Sequence, residues 1–211
     1  MKDKGILIVV SGFSGAGKGT LMKALVSKYD NYALSVSMTT RAPRDGEIDG
    51  VSYFFVDKAS FEKTIEQDGL IEYARYVENY YGTPRAWVEE QMAEGRDVIL
   101  EIEIQGALKV KEKFPNALLL FVMPPSAQEL KNRLVGRGTE TIEVIESRMQ
   151  RALKEAEGIE YYDHVVVNDK LDECVEQIHS IIQAAHQSPD CKIDFINQLR
   201  EELNALVKGE E

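Results

Sequence analysis

Apolar runs recur along this chain, and the segments between them have helical periodicity. The run at 6–10 is continuous and rich in β-branched residues, which is typical of a strand buried on both faces of a parallel sheet. Similar runs lie at 98–100, 117–123 and 165–167. The helical segments around them are 18–29, 106–113, 126–135, 142–157 and 171–185. Strands that alternate with helices predict an α/β fold with a central parallel sheet.

Polar residues mark where some of these helices begin. Ser126 followed by Glu129 has the spacing of a capping box, and Asp169 is placed to cap the last helix of the series. The dipeptide Thr83-Pro84 predicts a further helix start, with a capping hydroxyl and a proline in the first turn. These positions predict the amino-terminal ends of three helices.

One internal stretch breaks the alternation. Residues 35–92 carry alternating or short strand patterns at 52–56 and 70–74. We therefore expect this stretch to form a small mixed α+β lobe, inserted into a core domain made of 1–34 and 93–186.

The last part of the chain, 187–211, is predicted to be a helical extension. Ile196, Leu199, Leu203 and Leu206 follow each other at spacings of three and four, so they form one apolar face of a helix. Packing against the parent domain is the default interpretation, and a contact with a second subunit is the alternative. A monomer and a homodimer are both compatible with the sequence.

Composition and charge narrow the classes of function. The chain has 211 residues, 44% of them hydrophobic, which suits one substantial globular unit. Its 36 acidic residues outnumber 25 Lys and Arg, so the formal net charge is -11. Binding to a nucleic-acid polymer draws on a basic surface, and we do not expect such a partner. A small anionic substrate is compatible with this charge if the arginines are concentrated in one pocket.

The lengths of the apolar stretches and the positions of the two cysteines bear on the location of the protein and on its metal content. Only five residues precede the first apolar run, and no stretch approaches the ~20 apolar residues that a membrane helix needs. We therefore expect a cytoplasmic protein without a membrane partner. Cys174 and Cys191 are not part of a C-x-x-C pair or a histidine cluster, so neither a disulfide framework nor a structural metal site is indicated.

A glycine-rich loop between the first strand and the first helix carries the main chemical motif. Its glycines allow several backbone N–H groups to point at one anion, and the helix adds the positive end of its dipole. Lys18 then reaches the β- and γ-phosphates of a nucleoside triphosphate such as ATP. The predicted residues of this site are Gly12, Ser14, Gly15, Ala16, Gly17, Lys18, Gly19 and Thr20. A glycine turn without this role is the alternative.

The last position of the G-x-x-x-x-G-K-[ST] motif departs from the pattern. Gly19 stands where a hydroxyl residue is usual, and Thr20 follows it. Thr20 is therefore a candidate for the Mg²⁺ contact, and an ion held mostly through water is the alternative.

A cluster of arginines follows the third predicted strand. Arg133 and Arg137 flank Gly136, and Arg148 lies on the next predicted helix. Together they predict a mobile helical lid at about 133–152 that closes over the triphosphate, since guanidinium groups stabilise the charge of a transferring phosphoryl group. For Arg151 a solvated helix surface, paired with neighbouring glutamates, is at least as good an interpretation.

The inserted lobe begins with the sequence S-x-T-T-R-x-P-R-x-G-E at 37–47. Arg41, Arg44 and two later tyrosines could hold the phosphate of a second substrate, because their donors fit its oxygens. This block, the segment 50–55, the Tyr81-Gly82-Thr83 sequence and the lid sequence 136–140 resemble the guanylate kinase family. The resemblance covers about 4–186.

The resemblance implies a P-loop NTPase-type parallel sheet flanked by helices, with a GMP-binding lobe and a lid. It implies a reaction of purine nucleotide metabolism in which ATP phosphorylates GMP or dGMP. The implied cofactor is Mg²⁺. The residues implied for the GMP phosphate are Arg41, Arg44, Tyr53 and Tyr81. Those implied for the guanine are Ser37, Glu72, Thr83 and Glu103, with Glu101 near the magnesium water and Asn168 near the adenine of ATP. The family commonly has aspartate where Glu103 stands.

The chemistry of guanine agrees with one of these assignments. Guanine offers two adjacent donors, N1–H and the exocyclic amine, which a carboxylate such as that of Glu72 can accept together. Adenine presents an unprotonated N1 at that place, so the buried carboxylate would be left unpaired. Lys18, Arg41, Arg137 and Arg148 are then expected to carry the charge of the transition state, and Lys18→Ala or Arg137→Ala to lower turnover by roughly 100-fold or more.

Two other functions remain open on the sequence. One is a related P-loop kinase that phosphorylates another acceptor, such as a ribose bisphosphate, and that would not need a carboxylate for guanine. The other is a non-catalytic guanylate-kinase-like domain that binds phosphorylated peptides. Such domains lack a working phosphate loop, whereas Gly12, Gly17 and Lys18 are present here.

Overall fold

The chain forms two sheets and eight α-helices over the residues that the computed structural model describes, 4–76, 78–136 and 141–208. The strands are β1 Leu7–Gly12, β2 Tyr32–Leu34, β3 Met38–Thr39, β4 Phe54–Phe55, β5 Leu70–Tyr76, β6 Asn79–Pro84, β7 Asp97–Glu101, β8 Leu118–Met123 and β9 His164–Val167. The helices are α1 Lys18–Lys28, α2 Lys58–Glu66, α3 Arg85–Ala93, α4 Ile104–Lys113, α5 Ala127–Gly136, α6 Ile142–Ala156, α7 Leu171–Ala185 and α8 Ile193–Lys208.

The larger sheet is parallel throughout and has the strand order β2-β7-β1-β8-β9. Helices cover both of its faces, so Ile8, Val9 and Val10 of the central strand are fully buried. In the register of the sheet Val10 pairs with Glu101, and Gly12 pairs with Val122. The carboxyl ends of β1, β7 and β8 therefore meet at one edge, where α/β proteins place their ligands.

The smaller sheet has the order β4-β3-β6-β5, and its strands lie within the stretch 35–92 that was predicted to form the inserted lobe. Strand β6 is antiparallel to both β3 and β5, and β3 pairs with β4 in parallel. Phe61 of α2 is fully buried and stacks on Tyr80, with ring centroids 5.2 Å apart. Strand β5 also packs against α4, so the smaller sheet lies next to the carboxyl edge of the large sheet.

The structure confirms the predicted parallel sheet and the five helices, and it adds elements that the apolar pattern did not reveal. Strands β2, β3 and β6 have two to six residues, too few for a clear periodicity. The capping hydroxyl at Ser126 is confirmed, since its Oγ accepts a hydrogen bond of 3.1 Å from the backbone N–H of Glu129. Its position relative to α5 is the one that the capping box requires.

Two predicted helix caps are wrong. Thr83 belongs to β6, and α3 begins at Arg85 with Pro84 at its N-cap and no side-chain cap. The Thr83 hydroxyl is instead directed to another side chain in the lobe, described below. Helix α7 has Lys170 rather than Asp169 at its N-cap, again without a side-chain hydrogen bond. Thr83 is fixed by strand β6 before the helix starts, whereas Asp169 lies in the bend between β9 and α7.

The carboxyl-terminal helix α8 is present, but it does not pack into the core. None of its residues is buried in the described part of the chain, and Phe195, Leu203 and Leu206 are 63%, 52% and 78% exposed. The expected packing against the parent domain is therefore wrong. A contact with a second subunit stays a prediction, and so does the division of the chain into three units.

Removal of 190–211 is expected to change the free energy of unfolding by less than about 1 kcal/mol, or roughly 2–4 °C in Tm. The physical reason is that α8 contributes no buried residue, whereas α7 buries Cys174, Val175, Ile178 and Ile182. Thermal unfolding of the full and shortened chains at several protein concentrations measures this. A larger loss that depends on protein concentration would contradict it and would show that a second subunit covers α8.

Candidate active site

The loop between β1 and α1 has the backbone geometry of a phosphate cradle. Gly17, at the N-cap of α1, has φ 89°, a left-handed conformation that side chains disfavour. At Gly12 an added Cβ would lie 2.0 Å from the carbonyl oxygen of Val122, so only glycine fits there. These two positions let the loop pass closely over the end of the sheet and open its N–H groups toward the start of α1.

Lys18 is folded back onto its own loop. Its Nζ donates hydrogen bonds of 2.6 and 3.2 Å to the carbonyl oxygens of Gly12 and Phe13. Burial lowers the pKa of this ammonium, and the nearby carboxylates of Glu101 and Glu155 partly oppose that effect. Lys18 is therefore held at the mouth of the cradle, in reach of an incoming anion.

Arg133 and Asn168 brace the cradle from the side. The Asn168 amide donates a 2.8 Å hydrogen bond to the carbonyl oxygen of Ala16, and the amide is nearly buried. Arg133 donates to the Asn168 carbonyl at 2.9 Å and pairs with Glu129 through its Nε at 2.7 Å. In this structure both predicted ATP-binding residues therefore support the loop itself. Whether Asn168 also lies near an adenine ring stays a prediction.

Helix α6 places one arginine beside the cradle. Arg148 of α6 donates a 3.2 Å hydrogen bond from Nη1 to the hydroxyl of Ser14. Arg137 lies outside the described residues. Of the predicted lid arginines, Arg133 and Arg148 thus surround the loop from α5 and α6.

Oxygen ligands for Mg²⁺ are present at the start of α1, but they are few. Glu101 faces this turn, because a Cβ added at Gly19 would have the Glu101 Oε2 as its nearest neighbour, at 4.0 Å. Thr20 lies in the same turn and is exposed. No group of three or more His, Cys, Asp or Glu among the described residues could hold a metal. This donor set fits an ion held mainly by phosphate oxygens and water.

Arg41, on the loop between β3 and β4, forms a bidentate ion pair. Arg41 donates to both oxygens of Glu47, at 2.8 and 2.9 Å, and it lies over the ring of Tyr53, 5.4 Å from the centroid. This arginine lowers the pKa of Glu47 to about 2, and the backbone N–H of Arg44 adds to the effect. Glu47 thus occupies the guanidinium fork that was predicted to bind a phosphate, while the Arg44 side chain is exposed.

Two of the four predicted guanine contacts, Glu72 and Thr83, lie on the neighbouring strands β5 and β6. The hydroxyl of Thr83 donates a 2.9 Å hydrogen bond to Oε1 of Glu72. Burial raises the pKa of the Glu72 carboxyl, whereas this hydrogen bond and the charge of Lys109 lower it. The tertiary structure therefore gives Thr83 the role of orienting a buried carboxylate, which its position before a proline did not reveal.

Two cavities adjoin at the carboxyl edge of the sheet. The acceptor cavity, of about 550 Å³, is bounded by Ser37, Tyr53, Glu72 and Tyr81 among others. The cradle cavity, of about 230 Å³, is bounded by Gly12, Ser14 and Lys18 among others. The residues common to both walls are Glu101, Ile102, Glu103 and Arg151. In the described part of the chain, Arg41 and Arg44 do not line the acceptor cavity and lie on the loop beside it.

Sequence reasoning did not reveal the place of three charged residues in this region. Glu47 was part of the quoted motif, but nothing in a linear sequence shows that it pairs with Arg41. Arg151 and Glu155 are four residues apart on α6, a spacing that predicts their ion pair. The spacing does not show that both border the cradle cavity.

The parallel sheet, the phosphate cradle and the adjoining acceptor cavity define a P-loop kinase of the nucleoside monophosphate type. Comparisons with known proteins agree. The guanylate kinase family model matches residues 4–185, and the chain belongs to this family. It is 52% identical to the guanylate kinase of Halalkalibacterium halodurans over 200 residues, which are 95% of this chain and 98% of the relative.

Two further comparisons give the same result. The guanylate kinase of Bacillus subtilis is 50% identical over 187 residues, covering 88% of this chain and 92% of the relative. The crystal structure of guanylate kinase from Anaplasma phagocytophilum has a TM-score of 0.69 and 33% identity, with 90% of each chain covered. Neither the sugar-phosphate kinase nor the non-catalytic binding domain is favoured. Among the described residues, no helix combines the length and apolar character that a bilayer crossing requires.

Proposed function

We propose that this chain transfers the γ-phosphoryl group of ATP to GMP or dGMP, in purine nucleotide metabolism in the cytoplasm. The observation that carries the proposal is the shared wall of the two cavities, because the cradle at Lys18 and the buried carboxylate at Glu72 open onto the same four residues. A donor phosphate bound in one cavity therefore lies beside an acceptor phosphate in the other. When both substrates are held next to each other in this way, the transfer between them becomes effectively unimolecular, which lowers the entropic part of the barrier.

In this proposal ATP binds with its phosphates in the cradle formed by 12–20. Lys18 would exchange the carbonyl oxygens of Gly12 and Phe13 for phosphate oxygens, and Ser14 and Arg148 would meet the γ-phosphate from the lid side. Arg133 and Asn168 keep the loop in shape through the carbonyl of Ala16 and the Asn168 backbone. Adenine would lie near Asn168.

Mg²⁺ would be held by the triphosphate, by the Thr20 hydroxyl and by Glu101 through water. When bound, the ion supplies charge neutralisation for the β- and γ-phosphate oxygens. The chain's own oxygen ligands are too few for a complete coordination shell, so metal binding should depend on the nucleotide.

GMP would bind in the acceptor cavity, with its base on Glu72 and its phosphate toward the tyrosines. Glu72 accepts N1–H and the exocyclic amine of guanine, and the Thr83 hydroxyl fixes the orientation of the carboxylate. Ser37 and Glu103 border the same cavity and are proposed to complete the recognition of the base. Tyr53 and Tyr81 have ring centroids 6.0 Å apart and line the side on which Arg41 lies. Arg41 and Arg44 would reach the phosphate when the lobe closes.

The reaction needs no general base in this arrangement. A phosphate oxygen of GMP bonds to the γ-phosphorus as the bond to the β–γ bridging oxygen breaks, giving GDP and ADP without a proton transfer. Catalysis therefore depends on alignment and on positive charge around the transferred group, supplied by Lys18, Arg148 and, by the family resemblance, Arg137. Closure of the lid and the lobe would exclude water and limit ATP hydrolysis.

The direct test is ADP release in a coupled assay with GMP, dGMP, AMP and ribose 1,5-bisphosphate as alternative acceptors. We expect turnover with GMP and dGMP and little with the other two. Equal turnover with the sugar phosphate would contradict the assignment of the acceptor cavity. Absence of ATP binding in calorimetry would contradict any kinase function.

A pH dependence follows from the burial of Glu72. Guanine requires the ionised carboxylate, and burial raises the pKa of Glu72 above the ordinary value of a glutamate. As the pH falls, GMP affinity should therefore begin to weaken at a higher pH than it would with an ordinary glutamate at this position. Calorimetry of GMP binding at decreasing pH measures this for the original chain and for Glu72→Gln. The phosphate of GMP titrates equally in both, so we expect their affinity ratio to fall toward one in acid. A constant ratio would contradict the role of the carboxylate.

The same pKa shift affects stability with a definite sign. Because the pKa of Glu72 is higher in the folded protein than in the unfolded chain, the folded state binds this proton more tightly. The contribution of Glu72 to stability is therefore complete below the unfolded pKa and is lost as the pH rises through the folded pKa. Ligand affinity and stability thus respond to pH in opposite directions at this residue.

A further inference from the structure

Arg151 borders both substrate cavities, yet the mechanism above gives it no role. It lies on α6, three residues after Arg148, which reaches Ser14 of the cradle. Of the four residues common to both cavity walls, Arg151 is the cationic one. A phosphoryl group that passes between the cavities must cross this shared wall.

The present partners of Arg151 differ in how firmly they hold it. Its Nε donates a 2.9 Å hydrogen bond to Glu155, whose side chain is 17% exposed. Its Nη2 forms an ion pair with Glu103, whose side chain is 72% exposed. Exposed ion pairs contribute only about 0–1 kcal/mol, so the contact with Glu103 is easily exchanged. The contact with Glu155 is better shielded from water and acts as the anchor.

Glu155 has an unused acceptor beside this arginine. Its Oε2 is buried and has no hydrogen-bond partner among the described residues, although a buried carboxylate oxygen ordinarily has one. Nη2 lies on the same side of the guanidinium as Nε, so release from Glu103 would let this side pair with both oxygens of Glu155.

We propose that Arg151 is a further catalytic residue, which exchanges Glu103 for an oxygen of the phosphoryl group in transit between ATP and GMP. The inference rests on the function proposed above. As the bond from the γ-phosphorus to the β–γ bridging oxygen breaks and the bond to the GMP oxygen forms, the guanidinium neutralises charge on the equatorial oxygens. It neither gains nor loses a proton. Arg151 approaches from α6 as Lys18 approaches from α1.

The test compares Arg151→Gln and Arg151→Lys with the original chain in the GMP-dependent ADP-release assay. We expect Arg151→Gln to lower kcat by about 10- to 100-fold, as for the loss of one charge-stabilising group, with the KM values for ATP and GMP changed by less than about threefold. Arg151→Lys should recover part of kcat, because it keeps the charge without the planar fork. The matched control is Lys154→Gln, which removes an exposed cation from the same helix and should leave kcat unchanged.

Three results would overturn this inference. One is a kcat for Arg151→Gln within twofold of the original chain. Another is a rise in the KM for GMP alone, which would mean that Arg151 binds the substrate but not the transition state. The third is a fall in Tm with kcat unchanged, which would mean that the ion pairs only hold α6 in place. The original chain is assayed first, so failure of the proposed function is recognised by its own inactivity with GMP.

Discussion

Lys18→Ala is expected to lower the turnover of GMP by roughly 100-fold or more while the protein remains folded. The Lys18 ammonium donates hydrogen bonds to carbonyl oxygens of its own loop, and burial lowers its pKa. The group is thus poised for an anion and is not part of the apolar core. Its loss removes positive charge at the transferring phosphate, where water is excluded and the charge has its largest effect.

Steady-state kinetics with saturating ATP and GMP, together with a thermal melt, measure this effect. Lys23→Ala is the matched control, because Lys23 is an exposed lysine of the same helix α1. We expect its turnover and Tm to stay near those of the original chain. Near-normal turnover in a folded Lys18→Ala protein would refute the assignment of the cradle.

Glu72→Gln is expected to lower kcat/KM for GMP by roughly 100- to 1,000-fold and to affect AMP much less. The amide has nearly the shape of the carboxylate, so Thr83 and the lobe should keep their positions. One of the two acceptor oxygens is replaced by an N–H₂ group, which opposes a donor of guanine instead of accepting from it. The loss therefore comes from the recognition of the base.

Competition between GMP and AMP in one assay separates recognition from general damage. Glu66→Gln serves as the control, since Glu66 is an exposed glutamate of α2 in the same lobe. Equal losses for GMP and AMP with Glu72→Gln would contradict guanine recognition and would indicate that the carboxylate only maintains the lobe. Thr83→Val should cause a smaller loss in the same direction, about 10-fold, because the carboxylate keeps its charge but loses its orienting donor.

Some parts of the site could be predicted from sequence because their physical causes are local. The phosphate cradle is one continuous segment, 12–20, in which glycines, a lysine and a helix start stand in fixed order. The buried strands of the core also show themselves locally, since a strand covered on both faces has an uninterrupted apolar run. The resemblance to a known family then supplied the acceptor residues, which lie far apart along the chain.

Other parts depend on contacts between distant segments. Thr83 precedes a proline and fits the pattern of a helix cap, but the pairing of β5 with β6 directs its hydroxyl to Glu72. Arg41 fits the pattern of a phosphate ligand, but in the structure its guanidinium group forms an ion pair with Glu47. A sequence pattern states which bonds a side chain can make, and the fold decides which partner is within reach.

The sequence by itself determined the kind of protein: a parallel α/β core with a phosphate cradle and a helix at the carboxyl-terminal end. These follow from the period of the apolar residues and from glycines whose backbone freedom is needed at particular positions. Only the tertiary structure decided that the two cavities share a wall, that Arg151 lies in it, and that α8 is left uncovered. Periodicity describes which face of an element is apolar, whereas the packing of strands and helices determines what that face meets.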